Sequence, residues 1–183
     1  MENSHGRKKE PEVNKQLIID TATEIGAETD WHHVTFQAIA DRTGLSKGGI
    51  IHHFRNKEEL LDEVMNQNLS EISTWVDNYK KENGHSEGAL GYLHFVLEKG
   101  DDEKYRKNMK IVLQGIMANH KYRDKWMEWY NQQISHRDKN SENIRETVIF
   151  LIVEGLWYTE NMGKNMISGD QKKKILDYIK KMK

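Results

Sequence analysis

The chain has 183 residues, enough for one sizeable core or for a small domain joined to a larger one. Its 28 Lys and Arg against 29 Asp and Glu leave a net charge of −1, which gives no overall sign of a polyanionic partner; the absence of Cys excludes disulfides and thiolate metal sites. No apolar run approaches the length of about 18 residues that a membrane helix needs. The opening MENSHGRKKEPEV carries basic residues with no apolar stretch behind them, unlike a secretion signal, so a cytoplasmic location is expected.

The single proline, Pro11, precedes the first periodic segment, and apolar residues then recur at spacings of three and four. That periodicity predicts an all-α fold. Residues 1–10 read as a flexible arm. A first helix is expected from about Glu12 to Ala27, with Ile18, Ala22 and Ile25 on one face, interrupted at Asp30 and Trp31. Thr35 can cap a short second helix, Phe36 to Arg42, whose inner face is Phe36, Ile39 and Ala40. Thr43, Gly44 and Leu45 make a tight turn, with Gly44 suited to the left-handed conformation after a helix end. Ser46 caps a third helix running to His53, and Asn56 a long fourth one to about Tyr79, with Glu58 and Glu59 in its first turn. KKENGHSEG breaks the pattern, and further helices are predicted at 87–99, 102–119, 121–138, 142–163 and 169–182. The chain divides into a small head, 11–56, and a helical body, 57–183.

Two short helices joined by a three-residue turn containing glycine form a helix-turn-helix, which sets its second helix into the major groove while the first crosses the backbone. The third helix of this sequence begins with Lys47, Gly48 and Gly49, although a glycine costs a helix interior about 1 kcal/mol relative to alanine. Without side chains, Gly48 and Gly49 let the start of that helix approach phosphates or base edges. The charge agrees locally: from Thr35 to Lys57 there are Arg42, Lys47, Arg55 and Lys57 against Asp41 alone.

The segment TFQAIADRTGLSKGGIIHHFRNKEELL, Thr35 to Leu61, resembles the DNA-binding signature of the TetR family of bacterial transcription regulators. It meets T-x-x-x-I-A-x-x-x-G-[VL]-S-x-G-x-[IL]-x-x-[HY]-F-x-x-K-[DE]-x-L at every fixed position, and VEGLW, Val153 to Trp157, is similar to a pattern in the penultimate helix of drug- and metabolite-sensing members. Asp30 stands where the family has glycine, Gly26 where it has phenylalanine, and Ile51 where it often has tyrosine. Trp31 is expected to fill part of the volume missing at Gly26. The resemblance implies that Thr35, Ser46, His52 and Lys57 contact phosphates and that Gln37, Lys47 and Gly49 face the groove. Lys47 can donate to guanine O6 or N7 and is the expected base reader. It further implies a homodimer formed through 142–163 and 169–182, a palindromic double-stranded DNA operator, and release by a small molecule bound in the body.

Other chemistries find little support. His32, His33, His52 and His53 lack repeated ligand spacing, so no metal or cofactor is expected, and no nucleophile–base set or phosphate loop suggests an enzyme. In the body, Trp126, Trp129, Tyr130 and Gln133 share one helix face, and Tyr92, Phe95, Trp157 and Tyr158 lie on neighbouring helices. With Met109, Met117, Met127 and Met162 they either fill a core or line a pocket for a hydrophobic or aromatic effector. Glu154 lies among apolar residues that surround its helix, which predicts a buried carboxylate acting as a ligand counter-charge or as a structural or interface residue. The lysines at 172–174 read as a solvated face.

Overall fold

A computed structural model of the chain describes residues 4–84, 87–135, 144–161 and 167–182, with the backbone alone at 4–9 and 160–161. Among these residues there are nine α-helices and one 3-10 turn. They are α1 (Ser4–Glu28), the turn Trp31–His33, α2 (Phe36–Thr43), α3 (Lys47–His53), α4 (Lys57–Asn83), α5 (Gly88–Lys99), α6 (Glu103–Ala118), α7 (His120–Gln133), α8 (Ile144–Asn161) and α9 (Gly169–Lys181).

The cap residues act as the sequence predicts. Thr35, Ser46 and Asn56 each accept a backbone N–H from the first turn of α2, α3 and α4. Gly44 ends α2 at φ 73°, where a side chain would strain the backbone. Two helices are longer than expected. The backbone of α1 begins at Ser4, so Pro11 lies within it and removes one N–H from its ladder. The other, α4, continues through Lys80 to Asn83 and stops at Gly84, φ 115°. The expected helix over 121–138 is described only to Gln133, with 136–138 outside the described residues, as are 142–143 and Met162.

Ile18, Ala22, Ile39, Ile50 and Phe54 close the head's core. In place of a side chain at position 26 stands Ile111 of α6: a Cβ on Gly26 would come within 2.4 Å of its Cδ1. The missing phenylalanine volume is thus taken largely by Ile111 of the body, with Val34 of the head beside it. Asp30, the other departure, accepts the backbone N–H groups of His32 at 2.7 Å and His33 at 3.3 Å and thereby caps the 3-10 turn.

Two helix pairs run side by side in the same direction and join head to body. Along α1 and α6, Lys104 pairs with Asp20 at 3.1 Å, Lys110 donates to the Ala27 carbonyl, and Gln114 accepts the Trp31 N–H at 2.7 Å. Along α4 and α7, Lys121 pairs with Asp62 at 2.8 Å, Trp129 donates to Ser73 at 2.8 Å, and Lys80 reaches the Gln133 carbonyl. Arg145 at the start of α8 holds Glu87 with both its terminal nitrogens, at 3.2 and 3.3 Å. In the lysine run, Lys172 departs from the expected solvated face: it is buried and reaches Asp101 at 3.2 Å.

Candidate DNA-binding and effector sites

The beginning of α3 is a short exposed face over a firmly packed one. Ile50 is fully buried and anchors the helix, while Ser46, Lys47, Gly48, Gly49, Ile51 and His52 are exposed. The two glycines differ. A Cβ on Gly49 would sit 3.2 Å from the Ser46 hydroxyl that accepts its N–H, so the cap itself favours a bare residue there. A Cβ on Gly48 would meet nothing within 4 Å. The protein's own packing gives Gly48 no reason to be glycine.

On α2, Thr35 and Gln37 are also exposed, with Gln37 donating to Asp41 at 2.8 Å one turn on. The local basic patch is less free than its composition suggests. Arg42 forms a two-pronged pair with Glu28, and Lys57 donates inward to the carbonyls of Trp31 and His32 while its ammonium lies 5.1 Å from the Trp31 ring centroid. Burial lowers the Lys57 pKa, and the nearby Asp30 charge offsets part of that. Of the eight DNA-contact positions singled out in the sequence, Lys57 alone is turned into the structure.

The predicted effector residues separate into a cluster and two outliers. Tyr92, Phe95, Trp126, Trp129, Tyr130 and Trp157 are buried together and meet edge-on or tilted through Tyr105, with ring centroids from 5.1 Å (Trp126–Trp129) to 6.2 Å (Tyr92–Tyr130) apart. Such geometry suits the ring quadrupoles and gives the body a stiff aromatic centre. Met117 is 79% exposed near the end of α6, and Tyr158 is 62% exposed on a different face of α8 from Trp157, so neither joins that cluster.

Glu154 lies beside it, half-buried, with an Oε1 that is buried and has no hydrogen-bond partner among the described residues. Burial pushes its pKa above the usual carboxylate range. Its charge in turn adds to burial in raising that of the fully buried Tyr92. The expectation that α8 is buried on every side does not hold. Ile144, Leu151 and Tyr158 are each more than 60% exposed, and together with half-buried Val148 and exposed Gly155 they follow a four–three spacing down one face.

Residues 18–64 match the family model of bacterial regulatory proteins, tetR family, and residues 88–183 match that of the tetracyclin repressor-like C-terminal domain, which alone takes in more than half the chain. The chain belongs to the TetR family. TetR proteins are transcriptional regulators and not enzymes, and here the helix-turn-helix domain and the helical C-terminal domain are both present. The fatty acid metabolism regulator protein of Bacillus subtilis (strain 168) is 30% identical over 100 residues, 53% of this chain and 49% of that protein. The chain thus spans about half the length of that curated relative.

Solved TetR-like structures share the fold across nearly the whole chain. The multidrug binding protein EbrR, crystallised with malachite green, is 12% identical with a TM-score of 0.68, covering 90% of this chain and 96% of its own. A TerR/AcrR family regulator from Aquifex aeolicus VF5 is 20% identical with a TM-score of 0.69, covering 91% and 97%. NalD, the secondary repressor of the MexAB-OprM multidrug efflux pump in Pseudomonas aeruginosa, is 18% identical with a TM-score of 0.63, covering 93% and 95%. Among the described residues no helix is long and apolar enough to cross a membrane.

What the sequence missed lies where head meets body. The 3-10 turn at Trp31–His33, the inward Lys57 and the Trp31–Gln114 hydrogen bond were not foreseen. The aspartate two and three residues before His32 and His33 was the available signal, because Asp readily accepts N–H groups at such positions.

Proposed function

We propose that this TetR-family regulator is a homodimeric repressor which binds a palindromic operator and leaves it when a small hydrophobic or aromatic molecule occupies the body. Gly48 carries the DNA half of that reading. A glycine that lowers helix stability and meets nothing inside the molecule is explained by something outside that needs the space. On this reading Thr35, Ser46 and His52 hold phosphates, Gln37, Lys47 and Gly49 face the groove, and Lys47 reads a base edge. Because Lys57 is engaged internally, its part is to set the angle between α4 and the head, and the backbone N–H groups opening α4 are left to meet phosphate.

The dimer is supported by the exposed stripe of α8, where Gly155 would let a partner helix approach and Leu151 and Tyr158 would be covered. Tyr178 of α9, 71% exposed, extends the same need for cover. A two-fold dimer reads half-sites about 34–36 Å apart, or a multiple of that, on a palindrome. In the body, the aromatic cluster offers apolar walls and the Glu154 carboxylate a counter-charge for a cationic ligand, so domain 57–183 serves both binding and dimerisation. An effector there would move α4 through its ties to α7 and change the half-site spacing. The repressor works at the chromosome, in the cytoplasm.

The test is operator binding by Gly48→Val measured beside its melting temperature. The variant should stay folded and dimeric and lose specific binding; full binding would remove the argument from Gly48.

A further inference from the structure

A cleft of about 670 Å³ opens between head and body. Trp31 and Lys57 form its head side, and Gln114, Met117, Ala118 and Tyr122 its body side. That volume suits a drug-sized ligand.

Three observations define the chemistry it would accept. Trp31 is half-buried with Leu61 and Tyr122 nearby, so the walls offer ring and aliphatic surface. Met117, an adaptable side chain, stands 79% exposed at the same cleft with no apolar cover of its own. Lys57 has three N–H donors, and the carbonyls of Trp31 and His32 account for two of them, leaving one on an ammonium already partly removed from water. The remaining donor favours an acceptor oxygen. Charge works against ions of either sign. The Lys57 ammonium already lies over the Trp31 ring, where an aromatic-bound cation would go. An anion would meet the carboxylates of Asp30 and Glu58 along the same lining.

We infer that this head–body cleft binds an uncharged, planar aromatic molecule with an acceptor oxygen, the ring lying against Trp31 and Met117 and the oxygen taking the free Lys57 N–H. The cleft is bridged by the Trp31–Gln114 hydrogen bond, so an occupant tilts the head against α6 directly, without passing through the body's aromatic cluster. Control of DNA binding from this cleft rests on the repressor reading above; binding of the molecule does not.

The experiment is calorimetric titration of the full-length protein, without DNA, using 9-fluorenone as probe beside fluorene, fluorene-9-carboxylate and protonated 9-aminofluorene. Saturable binding of fluorenone is expected, at least tenfold tighter than that of the other three. Ala118→Trp, which fills the cleft, and Met117→Asp, at an exposed position that folding does not depend on, should each weaken fluorenone binding at least tenfold. Absence of saturable binding, equal binding of a charged analogue or of fluorene, or binding that survives either cleft variant would overturn the inference. Because no DNA is present, these outcomes are independent of whether Gly48→Val loses the operator.

Discussion

Gly48 and Lys47 sit side by side at the start of α3 and separate two kinds of recognition. Gly48→Ala adds a methyl group into open space, so it should stabilise the fold by up to about 1 kcal/mol while weakening operator binding. A melting temperature that rises together with unchanged affinity would mean that nothing approaches this glycine. Lys47→Ala should relax the preference for one base and flatten the salt dependence of binding by about one unit of slope. An altered slope with base preference intact would make Lys47 a phosphate contact only. Glu154 supplies a third residue-scale prediction. Burial raises its pKa in the folded chain, so the native state keeps its proton where the unfolded chain has lost it. The stability this contributes is complete below the ordinary carboxylate range and disappears as pH rises through the raised value. Glu154→Gln should therefore melt above the wild type at pH 7 and close to it at pH 4, measured by calorimetry. The opposite order at pH 7 would mean that the carboxylate has an opposite charge beside it.

At the scale of elements, α8 carries the sharpest expectation. Ile144, Val148, Leu151, Gly155 and Tyr158 form one face at seam spacing, and a stripe of that kind left in water is an association surface. Leu151→Asp should convert the proposed dimer to monomer in sedimentation velocity and reduce operator affinity at least tenfold; a dimer that persists would put the interface elsewhere. The ends of the short head helices were legible from local signals, the side chains of Thr35, Ser46 and Asn56 and the bare backbone of Gly44, and the structure uses each one. Facing was less legible. Apolar residues surround α8 in the sequence, yet periodicity cannot tell a face covered by the same chain from one awaiting another. The lysine run gives no sign that Lys172 is buried, because its partner, Asp101, is remote in sequence.

At the scale of the molecule, the head was readable because its signature is contiguous, from Thr35 to Leu61. The junction was not, because it is made of pairs far apart in sequence: Ile111 against Gly26, Gln114 against Trp31, Lys110 against the end of α1. The aromatic cluster stood between, since spacing grouped Trp126, Trp129 and Tyr130 correctly but gave no sign that Met117 and Tyr158 would point elsewhere. Parallel pairing of α1 with α6 ties the head to the body, and that of α4 with α7 ties the helix leading out of the head along it. A ligand in the body would act through α4 and α7, and one at the cleft through α6 and the Trp31 turn. All of this presupposes that the heads read DNA as a symmetric pair. The measurement that tests it most directly is selection of bound duplexes from a fully randomised library by the purified full-length protein. Enrichment of one palindrome whose half-sites lie about one helical turn or a multiple of it apart is expected. Enrichment of a single unrepeated half-site, or of no sequence at all, would contradict it.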